Sequence, residues 1–125
     1  MKKWVWLLVG LAWAETNRSV WDGVYTEEQA KRGQAVYAKE CAACHGAELT
    51  GGESAPPLTG IAFLANWNGL TVGDLLERMR VSMPQDDPTR VSRQQHADIA
   101  AFLLAESLSR RESGTAAANR GAEAD

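Results

Sequence analysis

Cys41-Ala42-Ala43-Cys44-His45 has the C-x-x-C-H form, the sequence signal for covalent attachment of a c-type haem. The spacing follows from the chemistry. Two thiols three positions apart reach the two vinyl groups on one side of a porphyrin and form thioethers. The imidazole next to the second Cys then lies beneath the iron as an axial ligand. Ala42 and Ala43 are small and leave the macrocycle room to lie against the backbone. Cys41 and Cys44 are also the only cysteines in the chain.

Two other chemistries share part of this pattern. A redox-active C-x-x-C pair normally accompanies a βαβ unit, and the sequence has no strand pattern. A zinc site takes four protein ligands, or three and a water. The only other histidine, His96, is far along the chain, and there is no second cysteine pair.

Around this motif the chain is modest in size. Its 125 residues suffice for one domain. A net charge of −3 argues against a nucleic-acid binder, which would normally be basic. Three of the five Trp residues, Trp4, Trp6 and Trp13, fall in an N-terminal segment with the features of an export signal. Lys2 and Lys3 form its positive end, Trp4 to Leu11 its short apolar run, and Ala12-Trp13-Ala14 an A-x-A cleavage site. The apolar run is short for a bilayer span; an uncleaved anchor is the alternative. Residues 1–14 are therefore read as a signal peptide, with the mature product in the periplasm. Removing Lys2 and Lys3 leaves 11 basic and 16 acidic side chains, a net charge of −5.

Residues 15–25 carry no periodic pattern and read as an arm. Thr26-Glu27-Glu28-Gln29 has capping-box form, and its acidic residues suit the start of a helix. Ala30, Gly33, Val36 and Tyr37 recur at helical spacing, so this first helix runs into Cys41. Gly33 costs a helix about 1 kcal/mol relative to Ala; a close crossing with a second helix would give it a purpose. Gly46 to Gly60 is a loop punctuated by Gly and Pro. Within it, Pro56-Pro57-Leu58 forms a rigid turn suited to offering a backbone carbonyl to the free ring nitrogen of His45.

Ile61 to Asn66 reads as a short helical turn. Thr71 and Asp74 begin another helix, with Leu75, Leu76 and Met79 on its apolar face and Arg78 and Arg80 outside it. Ser82-Met83-Pro84 ends that helix, because the residue before Pro is pushed out of the α region. Gln85 to Arg90 is a polar loop. Ser92 and Gln95 open the last helix, on which Ile99, Phe102 and Leu103 repeat and His96 reads as a surface residue. Residues 109–125 are small and polar, and disorder is expected there. The domain proper is residues 26–108.

An iron that carries electrons without binding substrate needs a second axial ligand, and a thioether raises its potential. Met79 falls in register with Leu75 and Leu76, as a core residue would. Met83 lies in a Pro-stiffened loop, where its sulfur is free to be aimed, and is the expected ligand. Met79, His96 and an open site are the alternatives.

Taken together, these features resemble the class I single-haem cytochrome c family over Thr26 to Ser107. The resemblance rests on the Gly33/Tyr37 helix, Cys41-Ala42-Ala43-Cys44-His45-Gly46, Ala55-Pro56-Pro57-Leu58-Thr59-Gly60, Ser82-Met83-Pro84, and a final helix bearing Phe102. It implies an all-α fold, with three main helices and a short helical turn wrapped around one haem c held through Cys41 and Cys44. It implies that Gly33 and Phe102 meet where the first and last helices cross. It also implies that Pro56 supplies the carbonyl to His45, and that Leu58 lines the haem pocket. More loosely, the segment is similar to small cytochromes that accept electrons from periplasmic quinoprotein dehydrogenases. Its acidic balance departs from the lysine-rich face of mitochondrial members.

The expected function is a periplasmic one-electron carrier, not an enzyme, that exchanges electrons with other periplasmic redox proteins. It binds no nucleic acid and has no membrane span after signal cleavage. The alternative is an enzyme or sensor with five-coordinate haem c that binds peroxide or a gas.

Overall fold

A computed structural model describes residues 23–122, with side chains through Ser109. The expected signal peptide of residues 1–14, and the expected arm as far as residue 22, lie outside the described residues. The described chain is all-helical, as expected, with no strand among those residues. Its elements are α1 (Glu27–Glu40), α2 (Ala42–His45), α3 (Gly60–Trp67), α4 (Val72–Ser82) and α5 (Arg93–Ala122), with a 3-10 turn at Pro88–Arg90 before α5.

Local chemistry sets most of the helix starts. Thr26 caps α1, its hydroxyl accepting from the Gln29 N–H at 3.1 Å. The α4 start is a full capping box: Thr71 Oγ1 accepts from the Asp74 N–H, and Asp74 Oδ2 accepts from the Thr71 N–H at 2.7 Å. Ser92 and Gln95 repeat it at α5, with bonds of 3.1 and 2.8 Å. Each box satisfies two amide donors that a helix start would otherwise leave open.

The core joins Tyr37 of α1, Phe63 of α3, Leu75 and Met79 of α4, and Ile99, Ala100, Phe102 and Leu103 of α5. Leu49 and Val91 close it from the loops. Met79 is thus a core residue, as its helical register requires. The α1–α5 pair makes the most extensive contact between elements. Gly33 explains how the two backbones come so close. A Cβ at this position would overlap the Asp98 carbonyl and lie 2.8 Å from the Ile99 nitrogen. Gly33 therefore meets the backbone of Asp98 and Ile99. Phe102 follows one turn further along α5 and packs on Tyr37, one turn further along α1, with ring centroids 5.4 Å apart. The first and last helices thus cross, as the family resemblance implies.

Two other differences concern α5. It continues to Ala122, where the sequence reading expects disorder from Ser109. Residues 110–118 include Arg, Glu and three consecutive Ala, all strong helix formers, so propensity favours continuing the turn. The second difference is His96. Its ring is buried, at 3% exposure, and does not lie on the surface. In sequence it follows Arg93, Gln94 and Gln95, and that polar run hides the fact that His96 faces inward.

Candidate haem site

The motif occupies a tight turn between α1 and the loop after it. The Cys41 N–H bonds back to the Tyr37 carbonyl at 2.9 Å, and the His45 N–H to the Cys41 carbonyl at 3.0 Å. α1 and the one-turn α2 therefore meet at Cys41 and hold Cys41, Cys44 and His45 in one turn. Both thiols are free; Cys41 is half-buried and Cys44 is exposed. Tyr37 anchors the exit from the motif, its hydroxyl donating to the Gly46 carbonyl at 2.6 Å. Burial, with the Cys41 charge adding, pushes the Tyr37 phenol up to about 12.

His45 is buried, and its Nδ1 lies 2.9 Å from the Pro56 carbonyl. A carbonyl only accepts, so Nδ1 carries the proton. Nε2 then holds the lone pair, which is the form needed to bind a metal. The loop is shaped to make this contact. The Gly51 N–H donates to the His45 carbonyl at 2.8 Å. Gly51 has φ +76, and a Cβ there would lie 2.6 Å from the Pro57 nitrogen. Only a residue without a side chain lets the Pro56-Pro57 turn close over His45. Leu58 is half-buried against the core, with its N–H on the Leu49 carbonyl at 2.8 Å.

The thiol chemistry is equally informative. Burial pushes Cys41 up to about 11, and Glu40 adds to the rise. Redox-active cysteines have lowered values because they react as thiolates. Zinc fares no better: among the described residues, no group of three or more His, Cys, Asp or Glu side chains gathers as a metal site.

Met83 is the C-cap of α4 and is half-buried. Its N–H donates to the Met79 carbonyl at 2.8 Å. Its carbonyl accepts from His96 Nε2 at 2.8 Å. The segment that follows is tied to the motif side of the molecule. Arg90 Nε donates to Glu40, the residue before Cys41, at 2.6 Å, while Nη1 and Nη2 grip Asp86 at 2.8 and 3.1 Å. One arginine thus bridges the Cys41 turn and the Met83 loop. The sequence reading offered His96 only as an alternative ligand to the iron, not as a partner of the Met83 backbone, and gave no sign of the Glu40–Arg90 link.

This all-helical domain, with C-x-x-C-H closing its first helix and a proline carbonyl on the motif histidine, has the design of a class I c-type cytochrome. A family model described as cytochrome c oxidase, cbb3-type, subunit III matches residues 28–103. The chain belongs to that family, and is thus a c-type cytochrome that carries covalent haem c and serves electron transfer. No curated protein and no solved structure matches it.

Proposed function

We propose that the chain is an exported electron carrier, with Cys41 and Cys44 as the thioether anchors and His45 and Met83 as the axial ligands of one haem c. The observation that carries this reading is the 2.9 Å hydrogen bond from His45 Nδ1 to the Pro56 carbonyl. It fixes the ring and its tautomer, and leaves Nε2 as the ligating atom. Met83, placed at the end of α4 with both backbone polar groups engaged, has only its side-chain torsions left to aim the sulfur. Leu58 supplies apolar lining. Bound haem supplies a one-electron couple between ferric and ferrous iron. The protein's part is to keep both ligands in place and water out, so that the change of charge moves little else.

The carrier works in the periplasm, exchanging electrons with redox proteins there, a quinoprotein dehydrogenase among the candidate donors. The export signal and the acidic mature chain support this placement. No described helix is long and apolar enough to cross a membrane.

Denaturation in pyridine gives the haem c spectrum if the cofactor is covalent. In the ferric protein, Met83→Ala removes the weak near-red sulfur-to-iron band. It also lowers the potential by on the order of 0.1 V or more, within the roughly 0.8 V that axial ligands span. Met79→Ala leaves the band in place. Loss of the band in Met79→Ala alone would transfer the ligand role to Met79. Prompt binding of CO by the unmodified protein would favour the five-coordinate enzyme or sensor.

A further inference from the structure

We propose that His96 is a positioning residue for the sixth ligand: by hydrogen-bonding the Met83 carbonyl, it ties the Met83 loop to the α1–α5 crossing and keeps the sulfur on the iron. The inference rests on the reading of Met83 as axial ligand.

His96 lies in the first turn and a half of α5, fixed at its start by the Ser92/Gln95 capping box and by its own N–H on the Ser92 carbonyl at 2.9 Å. Asp98 and Ile99, just beyond it, pack against Gly33. The ring is therefore mounted beside the most extensive helix–helix contact among the described residues. Its Nε2 donates to the Met83 carbonyl at 2.8 Å. The donor must be Nε2–H, because a carbonyl only accepts.

The bond completes the constraint on Met83. Its N–H is held by Met79 within α4, and its backbone has φ −130 and ψ 136, outside the helix. Pro84, the next residue, offers no N–H to pin the loop from its other side. Without His96, the Met83 peptide would be held only by its N–H on the Met79 carbonyl at the end of α4, and its carbonyl would lose its donor. Loss of that bond makes local opening of the loop easier.

The other ring nitrogen shows that the contact is not incidental to filling space. His96 Nδ1 is buried and has no hydrogen-bond partner. A Leu of similar size would fill the same volume without burying an unpaired polar atom. The chain keeps a ring that is half unsatisfied, and the Met83 carbonyl is the one partner that the ring has. The bond to Met83 is therefore the one polar contact that accounts for a histidine at this position.

The test uses ferric holoprotein and imidazole as a competing ligand, since imidazole binds only when the sulfur leaves. His96→Leu binds imidazole at least about fivefold more tightly than the unmodified protein, and loses the near-red band at a lower denaturant concentration than helical circular dichroism. His96→Gln, which keeps a donor, recovers part of both. A purely structural role would shift the band and the helical signal together and leave imidazole affinity within about twofold of the unmodified protein; that result overturns the inference. Met83→Ala, run in parallel, separates the two claims. If it keeps the band, the ligand assignment itself fails; if it loses the band while His96→Leu binds imidazole normally, only the role of His96 fails. Should His96→Leu not assemble, nitrogen-15 NMR of the ferrous unmodified protein decides. A slowly exchanging Nε2–H is required, and an Nδ1–H tautomer refutes the hydrogen bond.

Discussion

Asp98 carries the clearest single-residue electrostatics in the protein. Its side chain is only 6% exposed. Arg32 donates to it from Nε and Nη2, each at 3.1 Å, and Gln94 donates from Nε2 at 3.0 Å. The Arg32 guanidinium, with Gln94 helping against the opposing effect of burial, holds the Asp98 carboxyl below the usual carboxylate range. A depressed folded value means that the ionised form favours folding. The stabilisation is complete above the unfolded value of about 3.9, and is lost as pH falls through the lower folded value. Arg32 is 57% exposed, and solvent there screens the pair, so the gain is modest. Asp98→Asn is expected to cost about 1 kcal/mol near neutral pH, with the gap to the unmodified protein narrowing below about pH 4. Denaturant unfolding of the holoprotein at both pH values measures it. A gap that does not change with pH would mean that the carboxylate charge contributes nothing.

At the scale of elements, the α1–α5 crossing reverses an ordinary expectation. In an exposed helix, Gly to Ala gains about 1 kcal/mol. At Gly33 the added methyl meets the backbone of Asp98 and Ile99, and no rotamer change relieves a clash with backbone. Overpacking of this kind costs about 1–3 kcal/mol or more. Gly33→Ala is therefore expected to lower the unfolding free energy by about 2 kcal/mol. A shift of the denaturant midpoint towards greater stability would mean that the helices do not approach this closely. The crossing also shows which parts of the fold could be read from the sequence. The capping boxes at Thr71 and Ser92, the Thr26 cap, the Pro that ends α4 and the Pro56 turn depend on residues a few positions apart, and appear where the sequence puts them, although at Thr26 only the hydroxyl half of the expected box forms. Gly33 signalled a close approach, but its partner depends on how two distant helices lie against each other. His96 was misread for the same reason. Its inward face is decided by where the end of α4 comes to rest, and nothing in Arg93-Gln94-Gln95 records that. The length of α5 beyond Ser109 was obscured by composition, because small polar residues suit both a tail and a helix.

For the whole molecule, the question is which surface meets a partner. Four arginines, Arg78, Arg80, Arg90 and Arg93, surround the Met83 loop in sequence, yet they are not equivalent in the structure. Arg80 is paired with Glu77 at 2.7 Å, and Arg90 is occupied by Glu40 and Asp86. Arg78 and Arg93 are exposed and enter no ion pair among the described residues, although Glu77 also feels the Arg93 charge. Their charge is thus the part available to a partner, on a chain whose net charge is −3. Under the carrier reading, the haem lies close to this loop, and a partner face with local negative charge would be steered towards it. Steering of this sort changes the association rate more than the affinity, and fades as salt shortens the Debye length from about 10 Å at 0.1 M. Arg78→Glu combined with Arg93→Glu should slow second-order electron transfer with the native partner by about tenfold at low ionic strength. The difference should shrink towards nothing as salt is raised. Stopped-flow rates across a salt series measure it, with the near-red band and the potential checked in the same samples. Arg80→Glu serves as the control, since Glu77 already offsets that charge and its reversal should slow transfer less. Equal rates for the double variant and the unmodified protein at low salt, with the haem signature intact, would place docking on another face.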